Sequence, residues 1–207
     1  MPILLAIILH EIAHGVVANW FGDPTAKESG RLTLNPLPHI DPIGTIALPL
    51  LLIVAHAPFL FGYARPVPVN FGKLRHPKRD MIFVAAAGPV TNLILATVSA
   101  ALFRGIVHLQ LPADGPWTST LVAVLTPVAL MAQRSVVINV VLAVFNLLPI
   151  LPLDGGRVLT GLLPLRQAIA FSRLEPFGMV IVMMLMATNV LGQVVGPVVD
   201  VFLHVLL

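Results

Sequence analysis

Long apolar runs separated by short polar connections make up most of this chain. Only 10% of its 207 residues are charged, against about 25% in a typical soluble domain. Twelve Lys and Arg with nine Asp and Glu cannot cover a globule of this size with polar surface. A soluble enzyme and a disordered chain are thereby excluded, and the natural solvent is a bilayer. The chain has no cysteine, which removes disulfides, thiolate metal sites and cysteine nucleophiles. The formal net charge is +3, too sparse for a nucleic-acid groove; in a membrane protein the basic residues are topology signals.

The first run reaches Phe21 and ends at Gly22-Asp23-Pro24. It has no basic n-region and does not read as a cleaved signal peptide. Residues 22–42 are the most polar stretch, and residues 29–37 are a candidate edge strand or other extended, re-entrant element. Asp41-Pro42 reads as an N-cap with proline in the first helical turn. Apolar runs follow at 43–63, 81–111, 117–131, 133–148, 177–191 and 194–207, with Pro112 to Pro116 as a turn containing Asp114. The expected fold is an all-α polytopic membrane protein of about five or six membrane helices. It forms one domain over 1–207, with core motifs in 7–160 and C-terminal helices in 171–207. Loops 64–80 and 150–175 hold eight of the twelve basic residues. The positive-inside rule makes them cytoplasmic. If 43–63 is a full span, the N-terminus is cytoplasmic too; if it re-enters, the first connection cannot lie outside.

His10-Glu11-Ile12-Ala13-His14 carries the chemistry. On a helix, residues four apart lie about 40° apart and one turn along the axis, so both imidazoles reach one zinc ion. Glu11, on the adjoining face, is placed to take a proton from water at the metal. Ionisable groups within a membrane helix are costly and mark function. Hydrolytic zinc sites commonly use three protein ligands, so a third must come from elsewhere. Asp154, after a span end and among prolines and glycines, is the best candidate; its spacing is equally that of an Asp-Gly turn.

HEIAH in a first apolar helix, followed late in the chain by NLLPILPLDGG (146–156), resembles the site-2 protease family of intramembrane zinc metalloproteases. GRLTLNPLPHIDPIGT (30–45), ARPVPVNFGKLRHPKRDM (64–81) and AAGPVTN (86–92) resemble its compact prokaryotic branch, which lacks PDZ and nucleotide-sensing domains. The resemblance implies one zinc per chain held by His10, His14 and Asp154, with Glu11 as catalytic base. It places Asn146 by the metal, where its amide can bond substrate or the oxyanion. Asn92 is a further candidate for that role, in a close-packing segment with Gly88-Pro89. A three-helix catalytic core is implied, acting on transmembrane segments of membrane proteins in a prokaryotic inner membrane, with the active site toward the cytoplasm. Depth agrees, since helix rise sets His10, His14 and Asn92 part-way into the bilayer.

Other residues carry less. His39 reads as an interfacial loop residue, and His56, His76 and His108 as non-ligands. Asp200 and His204 share a helix face and are too few for a second metal site. The basic residues at 65–79 suit anionic headgroups. Two rival readings are a membrane metal carrier, which has no need of Glu11, and a proteolytically silent scaffold.

Overall fold

A computed structural model describes residues 2–109 and 117–207; the turn expected around Asp114 lies outside the described residues. Among these residues all regular structure is helical. Helix α1 is Pro2–Trp20. It stops where Gly22 adopts φ 107, a conformation that only glycine takes at little cost. A single turn, α2, spans Thr25–Glu28. Asp41 caps the next helix as expected, accepting from the Ile43 and Gly44 N–H groups at 3.0 and 2.7 Å. That helix is π-wound over Pro42–Ala47 and continues as α3, Leu48–Val54.

The segment 43–63 is not a full crossing. Pro42–Val54 is about 20 Å long at 1.5 Å per residue, short of a bilayer core of about 30 Å. The chain then doubles back. Tyr63 N–H donates to the Gly44 carbonyl at 3.0 Å and the Thr45 hydroxyl to the Tyr63 carbonyl at 2.9 Å. The ring of Tyr63 fills the place that a side chain on Gly44 would need. Residues 42–63 therefore enter and leave at one end of the bundle. The candidate edge strand at 29–37 forms no ladder among the described residues; its backbone turns into a short 3-10 helix at Leu37–His39.

Helix α4, Pro77–Val107, and helix α5, Thr118–Asn146, are the longest elements. Pro77 opens α4, and Asp80 accepts the N–H of the capping residue His76 at 2.8 Å, one half of a capping box. Helices α6 (Asp154–Leu162), α7 (Leu165–Ser172), α8 (Glu175–Ala187) and α9 (Val190–Leu206) complete the chain. Among the described residues three helices, α1, α4 and α5, are long and apolar enough to cross a membrane. A fourth is added if α7 and α8, bent by 64°, count as one span. Pro42–Val54 and α9 are shorter apolar helices, so six apolar elements are present and fewer have full crossing length.

Helices α1, α4 and α5 form the core. Ala96 and Ala100 of α4 meet Val136, Val140 and Val144 of α5 and Val199 of α9; small side chains let membrane helices approach closely. Helix α1 runs antiparallel to α4. His14 faces Val84, Ala6 lies by Asn92, and the rings of Phe21 and Phe83 stack at 5.6 Å. Loops 22–42 and 64–76 thus share one end of the bundle. Arg31 donates to the Arg65 carbonyl at 2.9 Å, and Arg75 N–H to the Phe21 carbonyl at 2.9 Å. Arg157 of α6 lies over the ring of Phe71 at 5.3 Å, which brings the 150–175 connection to the same end.

This corrects the expected placement of the N-terminus. Because 42–63 re-enters, Pro2 lies at the opposite end from loops 64–80 and 150–175. Lys27 and Arg31 join the eight residues of those loops, and the basic split becomes ten against two, Arg104 and Arg134. Asp23 ties the loop that follows the re-entrant unit to the end of α1. It is fully buried and accepts from the Thr25 hydroxyl, Thr25 N–H and Asn70 N–H. Burial works against its charge, yet these donors hold the carboxyl below its ordinary range.

Candidate metal centre

His10 and His14 lie one turn apart on α1, with their Nε2 atoms 3.1 Å from each other. Their Nδ1 atoms are both anchored. His10 Nδ1 meets the Asn92 Oδ1 at 2.6 Å, and His14 Nδ1 meets the Val84 carbonyl at 2.7 Å. Both partners are oxygens, so Nδ1 carries the proton in each ring and Nε2 is left with a lone pair. Asp154, first residue of α6, brings Oδ2 to 3.1 Å from His10 Nε2 and 3.4 Å from His14 Nε2. That oxygen is buried without a hydrogen-bond donor. Three lone-pair atoms within 4.8 Å of one another repel unless a cation joins them. Two imidazoles and a carboxylate suit zinc in particular, so the residues present fit the metal that the motif implies.

Glycines make the convergence possible. A Cβ on Gly88 would lie 2.5 Å from His14 Nε2 and from the His10 ring, so α4 can pass the two ligands only without a side chain there. The Asp-Gly-Gly sequence has the same logic. Gly155 and Gly156 sit against the Leu147–Leu151 backbone, which lets α6 start beside the end of α5 and aim Asp154 at α1. Gly88→Ala is expected to push the imidazoles apart and weaken zinc binding by more than about tenfold, comparable to losing an outer-shell partner. Zinc titration of the purified variant, with helix content checked by circular dichroism, measures it; unchanged affinity would mean that the rings have room to move.

Glu11 is half-buried and accepts the Val67 backbone N–H at 2.7 Å. It shares a cavity of about 540 Å³ with His10, His14 and Asp154. The rest of the lining is mainly apolar, including Ile7, Phe61, Val69, Leu142, Phe145 and Met179. Residues 61–69 form the wall facing Glu11, and Arg157 also lines it. Asn146 lines the same cavity, with its Nδ2 donating to the Leu142 carbonyl of its own helix at 2.9 Å. An amide nitrogen has a second proton to give.

Asn92 is placed differently. It is fully buried behind His10, and its amide is engaged by His10, Ala6 and Asn139. It reaches the site through His10. Asn139 and the Val84 carbonyl escape a sequence reading. A lone asparagine in an apolar run was the only available signal for Asn139, and a backbone carbonyl has none. His39 is buried and donates to the Thr33 carbonyl at 3.0 Å. His56, His76 and His108 stay exposed. His10, His14 and Asp154 are the one metal-competent group among the described residues.

An all-helical fold with apolar helices of crossing length, and two imidazoles and a carboxylate converging beside an apolar cavity, has the make-up of a membrane-embedded metalloprotein. Sequence comparisons narrow the class. The profile of peptidase family M50 matches residues 106–188, a stretch that contains Asn146 and Asp154. The chain is 38% identical over 200 residues to YwhC of Bacillus subtilis (strain 168), provisionally named a zinc metalloprotease. That alignment spans 97% of this chain and 84% of the relative. Rip2 of Mycolicibacterium smegmatis, provisionally named in the same way, is 29% identical over 190 residues, 92% of this chain and 66% of the relative. Rip2 of Mycobacterium tuberculosis (strain ATCC 25618 / H37Rv) is 33% identical over 159 residues, 75% and 53% of the two chains. No solved structure matches. The chain belongs to peptidase family M50, the site-2 protease family.

Proposed function

We propose that this chain is an intramembrane zinc metalloprotease that cleaves peptide bonds within or near the transmembrane segments of other membrane proteins. The observation that carries the proposal is the convergence of His10 Nε2, His14 Nε2 and Asp154 Oδ2 in a cavity that also holds Glu11. These three residues would hold one zinc per chain. Bound there, zinc supplies a Lewis acid that polarises the scissile carbonyl and eases loss of a proton from water. Glu11 accepts the proton of the attacking water and delivers it to the leaving amine. The Val67 N–H fixes one of its oxygens. The apolar lining accepts side chains from a membrane-spanning substrate. The substrate helix must unwind locally, because a helical peptide bond is shielded by its own turn. The free proton of the Asn146 amide is available to the substrate carbonyl or the oxyanion.

The centre lies nearer the end of the bundle that holds ten of the twelve basic residues. By the positive-inside rule that end is cytoplasmic in a bacterial inner membrane. Reporters fused after Lys73 and after Arg166 are expected to read cytoplasmic, and a tag preceding Pro2 external. An N-terminal tag protected inside the cell would return residues 42–63 to a full crossing.

Purified protein incubated with a panel of single-span substrates tests the function. Cleavage should stop on chelation and return with about one equivalent of zinc per chain. A protein that cleaves none of the panel but moves zinc across vesicles would be a carrier.

A further inference from the structure

Behind His10 the three core helices bury a line of polar side chains that has a single direction. Asn139 of α5 is 1% exposed and Asn92 of α4 is 0% exposed, so water does not satisfy them. At the far end Asn139 Nδ2 donates to the Ser135 carbonyl at 2.9 Å, an oxygen that can only accept. This turns the Asn139 Oδ1 toward Asn92, whose Nδ2 donates to it at 2.8 Å. The same Nδ2 lies 3.4 Å from the Ala6 carbonyl, again acceptor-only. Asn92 is left presenting Oδ1 to His10 Nδ1 at 2.6 Å. Reversing Asn92 would set its oxygen against the Asn139 Oδ1 and the Ala6 carbonyl, and reversing Asn139 would set its oxygen against the Ser135 carbonyl and its NH2 against that of Asn92, with no solvent to relieve it.

We infer that Asn139 is a positioning residue that, through Asn92, holds the proton of His10 on Nδ1 and leaves Nε2 bare toward Asp154 and His14. It touches neither His10 nor the cavity. Its effect is polarity handed through three hydrogen bonds, from a backbone carbonyl of α5 to a ring on α1. The second imidazole needs no such chain, since the Val84 carbonyl is an acceptor whichever way its neighbours point. His10 alone leans on a side chain that can rotate, and Asn139 removes that freedom. The consequence for zinc rests on the reading of His10 as a ligand. The proton's position does not.

Thr and Val have the same shape and differ by one hydroxyl. In a helix a Thr hydroxyl donates to the carbonyl four residues back, here Ser135, and can still accept from Asn92. Asn139→Thr therefore keeps the polarity of the line, and Asn139→Val ends it. The metal-free proteins are labelled with ¹⁵N-histidine and compared by NMR at pH 8, above the ordinary imidazole pKa of about 6.5. Wild type and Asn139→Thr are expected to show His10 as the Nδ1–H tautomer, and Asn139→Val a mixture of tautomers. Chelator competition should give zinc binding weakened roughly 10–100-fold in Asn139→Val, the range for loss of an outer-shell partner, with most of it recovered in Asn139→Thr. A Val variant with lowered melting temperature but wild-type tautomer and zinc affinity would reduce Asn139 to a helix-packing residue and overturn the inference. Should Asn139→Val not fold, Asn139→Ala is read by the same two measurements. Wild-type protein that binds no zinc but shows the tautomer difference would sink the metal reading and leave the inference standing.

Discussion

Glu11→Gln is expected to leave zinc in place and to lower cleavage of a single-span substrate by about 10²–10⁴, the usual cost of a lost general base. The substitution keeps size and polarity. Its amide oxygen still accepts from the Val67 N–H, which Glu11 holds at 2.7 Å, so the 61–69 wall stays where it is. His10, His14 and Asp154 are untouched. What is lost is, among the described residues, the only carboxylate besides Asp154 on the cavity wall, and with it the acceptor for the water proton. The apolar lining leaves little bulk water to stand in, which places the expected effect in the upper part of the range. Zinc content and initial cleavage rate, measured on the same preparation, decide the matter. Unchanged cleavage at normal zinc would take Glu11 out of the mechanism.

The parts of this site that were legible in the sequence are those set by local geometry. HEIAH needs only the helical period to bring two imidazoles to one point, and they meet as that period requires. Asp41-Pro42 capped its helix, and the Asp-Gly-Gly run marked a position where backbone must pass closely. Asp154 depended on more, because spacing alone left a turn as an equal reading. Features set by long-range pairing were hidden. Twenty-one residues at 43–63 have the length of a span. The return of Tyr63 to Gly44 and Thr45 makes them re-enter, and with that return the N-terminus changes sides. Asn92 read as part of a close-packing segment beside the site and as a candidate for contact with substrate. Its partner is His10, 82 positions away, and the side of His10 on which it lies cannot be read from spacing.

Asp154→Ala carries the largest expected effect on the metal. His10 and His14 come from one helix and would remain prealigned, with their Nδ1 protons on Asn92 and Val84. Two neutral imidazoles are nevertheless a poor zinc site, because structural and catalytic centres alike use three or four protein ligands. Asp154 also supplies the one negative charge among the three converging atoms. Its loss should weaken zinc binding well beyond the 10–100-fold expected for an outer-shell change, and cleavage should vanish with the metal. The fold should survive. Gly155 and Gly156, which make the close backbone contacts of this turn, are unchanged, and the truncated side chain leaves Oδ2, a buried acceptor without a donor, out of the structure. Asp154→Ala is therefore expected to fold in the absence of zinc while failing to gain stability when zinc is added. Wild type should gain, since a ligand that binds only the folded state raises its stability. Melting curves with and without zinc make this comparison directly. A variant that still gains stability from zinc as wild type does would assign the third ligand to another residue, whatever the cleavage assay shows.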